Sequence, residues 1–277
     1  MNLDKLKQHE QEILNMSDFE RGMREAAAIA SSVVGLVAGA VKPGVNLLTL
    51  EALARKIIID LKAEPFNLGY NPSWASSPYP AATCLSVNET IAHGIPEDYC
   101  LKEGDLLNID LSVKFNGYCG DCGMSVPVGK VDESHEMLLK IANRACYAGI
   151  QQVKDGVCVM QIGKAIDDYV SMMNRVTNKV FSGHNIGGEM HGDGILIPNF
   201  YDGHDPRYLK TFASMILHEG QVVCIEPMVT YKDRIGKLKG NGWSLVTNDK
   251  KYSAMYEHMI LVKKNGFEIL TDHFKKF

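Results

Sequence analysis

Asp110 and Asp121 flank the dipeptide Asn116-Gly117, the strongest short-range signal for a hairpin turn. Leu107, Ile109, Leu111 and Val113 alternate with Asn108, Asp110 and Ser112, so the strand before the turn carries one apolar and one polar face. Pairing Phe115 with Tyr118 sets Ser112 opposite Asp121 and makes Asp110 its diagonal neighbour on the same face, roughly 7 Å away. Two carboxylates that close repel each other and resist ionisation unless a cation lies between them. A divalent metal is the simplest such cation; a lysine on the sheet is the plainer one.

The second half of the chain weighs for metal. Leu101-Lys102-Glu103-Gly104 to Asp110 is echoed by Leu217-His218-Glu219-Gly220 to Glu226, and Lys42-Pro43-Gly44-Val45 by Lys154-Asp155-Gly156-Val157, in the same order and at nearly equal offsets. Such matches point to two related halves, about 24–130 and 136–265, each built as helix, helix, then a turn feeding a buried strand. Glu226 takes the place of Asp110 in this repeat, and Tyr256-Glu257-His258-Met259-Ile260-Leu261-Val262 puts another carboxylate inside a strongly β-forming run. Four carboxylates on buried strands need partners, and the neighbouring strands hold too few Lys and Arg to neutralise them.

Three histidines complete the candidate set. His184 and His191 lie in glycine-rich stretches where backbone can approach a ligand closely, and His93 follows a short strand. A carboxylate-rich metal site calls for neutral nitrogen ligands and hydrogen-bond donors around it. Cys119-Gly120-Asp121-Cys122 has the spacing of a redox or zinc pair, but it lies in the hairpin and no second pair exists, so it reads as strand packing. Gly187-Gly188 is no phosphate loop, because no Gly-Lys-Ser/Thr follows.

The elements that must position these groups are legible. Ala26 to Val41 is uncharged and reads as a buried helix with Ile29, Val33, Leu36 and Val37 on one stripe; Thr49 caps a second, with Leu50, Leu53, Ile57 and Leu61. The acidic start, about 1–17, reads as a solvated or packing helix. It also argues against an export signal, which needs positive charge there. The run at 26–41 is shorter than a membrane span. The chain has 277 residues, a net charge of −4 and 45% hydrophobic residues, as in a soluble globular protein whose halves share one core, a single domain over 1–277. No basic patch marks a nucleic acid or membrane partner. Seven dispersed cysteines fit free thiols in the cytoplasm.

Taken together, Tyr79-Pro80 to Pro96, Gly104 to Asp121, Gly183 to His191, Ile225-Glu226-Pro227-Met228 and Ser253 to His258 resemble the signature segments of the methionine aminopeptidases, in that family's order. The resemblance runs from about Asp18 to the C-terminus and looks like the short bacterial form. It implies an α+β pita-bread fold, two pseudo-symmetric halves around a central curved antiparallel sheet. It also implies a monomer that removes N-terminal methionine from peptides and from nascent chains near the ribosome, preferring a small second residue. Asp110, Asp121, His184, Glu226 and Glu257 would hold two divalent ions (Co, Mn, Fe or Zn), with Asp121 and Glu257 bridging. Glu226 would take the proton of the activated water, and His93 and His191 would contact the scissile amide and stabilise the tetrahedral intermediate. Tyr79, Cys84, Met190 and Trp243 would line the methionine pocket.

The chain departs from that pattern beside the cleft. Where the family usually has Glu-x-Pro after the second loop histidine, this sequence reads His191-Gly192-Asp193-Gly194, and Asn185 stands where glycine is common. The rival readings are a proline-specific aminopeptidase of the same fold, which carries a large extra N-terminal domain, and a catalytically inactive relative acting as a binding protein, which would have lost ligands.

Overall fold

Ser17 opens the first helix of the computed structural model, its Oγ accepting the backbone N–H of Glu20 at 3.1 Å, as an N-cap serine does. Residues 16–192 and 194–271 are described; the segment expected over 1–17 lies outside them apart from Met16 and Ser17. Helix α1 spans Asp18–Gly39 and α2 Leu47–Asp60, and each buries a stripe different from the expected one. In α1 the buried face is Ala26, Ala27, Ala30, Val33, Val34 and Val37, while Leu36 is 57% exposed. The alanines win because the helix backbone presses onto a strand at Gly120, where an added Cβ would lie 2.1 Å from the Ala26 carbonyl oxygen. Helix α2 starts earlier than expected: Asn46, not Thr49, is its cap, with Oδ1 accepting Leu48 N–H at 2.9 Å. Its buried stripe turns accordingly to Leu47, Leu50, Ala54 and Ile58, leaving Leu61 exposed.

Strands β1 (Glu64–Pro65), β2 (Cys84–Val87), β3 (Thr90–Ala92), β4 (Leu106–Phe115) and β5 (Tyr118–Pro127) complete the first half. Helices α3 (Glu133–Ile150) and α4 (Val159–Met172) open the second, followed by β6 (Val176–Thr177), β7 (Gly183–His184), β8 (Leu196–Ile197) and helix α5 (Pro206–Phe212). Strands β9 (Val222–Ile225), β10 (Met228–Thr230), β11 (Lys237–Leu238), β12 (Leu245–Val246), β13 (Ser253–Lys263) and β14 (Gly266–Ile269) end it. Nine strands form an antiparallel sheet ordered β1-β4-β5-β13-β10-β6, with β2 on β4 and both β9 and β14 on β13. In the β4–β5 hairpin Phe115 opposes Tyr118 and Ser112 opposes Asp121, the register read from the Asn-Gly turn.

The helices cover one face of this sheet. Leu107, Ile109, Leu111 and Val113 are buried with Val33, Val37, Leu50 and Ile58. A second cluster joins Leu138, Ile141, Ile162 and Ile166 of α3 and α4 to Val223, Ile225, Ile260 and Val262. The segments that read alike also bond alike. Gly44 N–H donates to Leu101 O at 2.7 Å and Gly156 N–H to Leu217 O at 2.8 Å, while Gly104 and Gly220 donate to Val128 O and Val262 O. Each helix pair is thereby pinned to the turn that launches its strand. No helix among the described residues is long and apolar enough to cross a membrane.

Candidate metal centre

Cys84 pairs with Asp110, Asp110 with Gly123, and Gly123 with Glu257, a row that crosses β2, β4, β5 and β13. Directly paired residues in an antiparallel sheet share a face, and the two-residue period adds Asp121 and Ser112. Met259 pairs with Cys224, so Cys224 extends the same face, and Glu226 follows just past the end of β9. With the helices packed on the opposite side, the polar residues of both halves gather on the free face. Gly123 makes room among them: a Cβ there would lie 3.1 Å from Glu257 Oε2 and 3.3 Å from Asp110 Cβ.

His184 comes from β7. Its Nε2 lies 3.5 Å from Glu226 Oε1 and 3.9 Å from Asp121 Oδ2. Burial, with His191 alongside, lowers its pKa to about 3, which leaves the imidazole neutral and its lone pair available. Donor atoms of Asp121, His184, Cys224 and Glu257 all lie within 4.8 Å of one another. Burial pushes the Asp110 carboxyl up to about 7. It also drives Asp121, Glu226 and Glu257 well above the carboxylate range, helped by the neighbouring carboxylates. No Lys or Arg is among the described residues lining the cavity. An oxygen-rich donor set with one neutral imidazole and no protein cation suits a divalent metal.

The carboxylates line a cavity of about 340 Å³. His93, at the end of β3 with a φ of +54°, lines it too. Burial, with His191 nearby, lowers the His93 pKa to about 4, and its Nδ1 is buried without a hydrogen-bond partner among the described residues. Trp74 stacks on the His93 ring at 5.7 Å and 19°, and Phe181 meets it edge-on at 4.4 Å. The His191 ring lies 4.2 Å from that of His184. Tyr79, Cys84, Met190 and Trp243 line the same space, with Tyr79 and Trp243 edge to face at 4.9 Å. Every candidate site residue named from the sequence therefore lines this one cavity.

The sequence also matches the model of metallopeptidase family M24 over residues 21–264. The chain belongs to metallopeptidase family M24. Relatives in this family include the methionine aminopeptidase of Aquifex aeolicus, 33% identical over 94% of this chain and 98% of its own length. Methionine aminopeptidase 1 of Bacillus subtilis is also 33% identical, covering 90% and 94%. Among solved M24 structures, methionine aminopeptidase from Rickettsia prowazekii superposes with a TM-score of 0.82 at 33% identity, covering 90% of this chain and 95% of that one. Prolidase from Pyrococcus furiosus shares the fold at 19% identity and a TM-score of 0.70, with 65% of its length covered. These neighbours give the mixed sheet-and-helix architecture its pita-bread description.

Among the groups that escaped the sequence reading are Tyr70, Trp74 and Phe181, which line the cavity, and Cys224, beside the donor atoms. For Cys224 a signal existed, since it stands two residues before Glu226 and so shares its face. The other three sit in segments without periodicity, and only the folded path of residues 66–80 and 178–184 brings them to the cavity.

Proposed function

We propose that this chain removes the N-terminal methionine from peptides and nascent proteins in the cytoplasm, with divalent metal held by Asp110, Asp121, His184, Glu226 and Glu257. The observation that carries the reading is the convergence of four carboxylates, Asp121 and Glu257 buried and Asp110 and Glu226 partly so, and a neutral imidazole on a cavity whose walls are aromatic and sulfur-bearing. In this reading the five residues would together hold two divalent ions. When bound, such ions polarise a carbonyl and acidify a coordinated water. Oxygen-rich sites with one imidazole accept Mn, Fe, Co or Zn.

The chain's own groups do the remaining work. Glu226, at the strand end and facing the cavity, accepts the proton of the attacking water and passes it to the leaving amine. His93 and His191, neutral and lining the cavity beside the donor set, donate hydrogen bonds to the scissile amide and to the oxygen that gains charge in the tetrahedral intermediate. Tyr79, Cys84, Met190 and Trp243 take the methionine side chain. A flexible thioether packs well against aromatic edges and soft sulfur, and burial keeps Cys84 protonated, so the wall bears no charge. The carboxylate end receives the free α-amino group, which confines cleavage to the first residue.

The deciding experiment measures free methionine from a Met-Ala-Ser peptide with metal-stripped protein, with and without Mn(II), Fe(II), Co(II) or Zn(II), beside an Ala-Pro control. Metal-dependent release of methionine is the expected result. Cleavage of Ala-Pro alone would move the assignment to the proline-specific relatives, and no release with any metal would leave a binding protein.

A further inference from the structure

The segment between β1 and β2 reaches the cavity through a closed loop. Gly69 N–H donates to Tyr79 O at 2.8 Å, and Tyr79 N–H donates back to Tyr70 O at 2.8 Å. Tyr79 is itself anchored, its hydroxyl donating to the carbonyls of Thr83 and Gly94 at 3.1 and 3.0 Å. Tyr70 thus stands at the fixed neck of the loop. Its hydroxyl oxygen lies 2.8 Å from Nδ1 of His191, and the two rings stack at 5.4 Å and 29°.

Of the two outer histidines, only His191 is tied in this way among the described residues, where Nδ1 of His93 has no hydrogen-bond partner. The direction of the tie follows from chemistry. Among the described residues the Tyr70 hydroxyl has no other hydrogen-bond partner, and burial pushes its phenol pKa up, so it keeps its proton. A phenol is a good donor and a poor acceptor, because its oxygen lone pair is delocalised into the ring. Nδ1 of His191 is therefore the acceptor, and the bond made by one ring nitrogen decides which nitrogen carries the hydrogen.

We infer that Tyr70 is a positioning residue: its hydroxyl fixes His191 as the tautomer with hydrogen on Nε2 and locks the ring plane, so that a ready-made N–H donor faces the reacting amide. This rests on the aminopeptidase reading for what His191 contacts. It makes the two histidines unequal, His191 a fixed donor and His93 a ring held by aromatic packing and free to choose its tautomer.

The test compares wild-type and Tyr70→Phe protein, since phenylalanine keeps the stacking and deletes only the hydroxyl. Long-range proton–nitrogen NMR on zinc-loaded, histidine-labelled protein reads the tautomer directly, with the His191 signals assigned by their loss in His191→Asn. The expected result is a pure Nε2–H tautomer in the wild type and averaged ring shifts in Tyr70→Phe. Alongside this, kcat on Met-Ala-Ser should fall about fivefold while KM holds. A wild-type ring protonated on Nδ1, or an unchanged kcat in Tyr70→Phe, would overturn the inference. If the wild type releases no methionine with any metal, the aminopeptidase reading fails instead, and the wild-type tautomer still decides for or against Tyr70.

Discussion

Gly123 sits directly opposite Glu257 across β5 and β13, so close that any side chain on it would crowd the Glu257 carboxylate. Gly123→Ala should therefore fold, because the nearest obstacle is the flexible end of Met255, yet displace Glu257 from its place. Displacing groups around a metal site typically costs about 10- to 100-fold in affinity. Titration calorimetry with Mn(II) should show a loss of that order, and wild-type affinity would refute the crowding.

Glu226→Gln keeps the shape of the side chain and removes its basicity. Loss of general-base help should lower kcat by about 10²- to 10⁴-fold, with KM for Met-Ala-Ser changed far less. A rate within a few-fold of wild type would reassign the proton transfer to another group.

Acidity gives a third expectation. Folded and metal-free, Asp110 holds its proton up to about pH 7, whereas in the unfolded chain it loses it near pH 4. The folded state binds more protons between these values, so metal-free stability falls as pH rises through that window. Calorimetric Tm of chelator-treated protein should decline from about pH 5 to pH 7. Added metal should raise Tm more near neutrality than at about pH 5, where it must displace those protons. A metal-free Tm that climbs over the same range would mean the carboxylates are neutralised by something else.

Trp243→Ala opens the wall formed with Tyr79 and Trp74, whose rings both lie 4.9 Å from the indole. Burying an aromatic surface contributes about 1.5–3 kcal/mol, so kcat/KM for Met-Ala-Ser should drop roughly 10- to 100-fold, and selectivity for methionine over leucine should narrow. Unaltered selectivity would place the methionine side chain elsewhere.

Glu51 carries a structural prediction. Buried on α2, it accepts the backbone N–H groups of Ala82 and Thr83 at 2.8 and 3.0 Å and pairs with Arg55, fixing the chain just before Cys84. Glu51→Ala strands those donors in the interior and should destabilise the protein by about 2–4 kcal/mol. Urea unfolding measures this directly; a change below about 0.5 kcal/mol would show that water satisfies them.

The β4–β5 register was legible because Asn116-Gly117 admits few pairings and strand alternation then fixes every facing residue. The carboxylate face followed from the same periodicity carried across strands. Helix stripes were less legible. In an alanine-rich helix the buried side is chosen by the surface that approaches, here Gly120, and not by the largest side chains, so Leu36 ended in solvent. Thr49 was a sound capping residue in the wrong place, since Asn46 reaches Leu48 N–H and gives the helix another turn. Tyr70 and Trp74 were invisible because a loop leaves no periodic trace of where it goes.

Strand β13 has a consequence for the timing of assembly. It lies between β5 and β10 and also pairs with β9 and β14, yet it is made after β5, β9 and β10. Chains are made at about 5–20 residues per second and fold from the N-terminus onward. Asp110 and Asp121 can take up their hairpin early, whereas the face they share with Glu257 must wait until β13 has been made. The donor set is thus completed in chain order, the Asp110–Asp121 hairpin first, His184 and Glu226 next and Glu257 last, so a growing chain holds all five donors only after β13 has emerged.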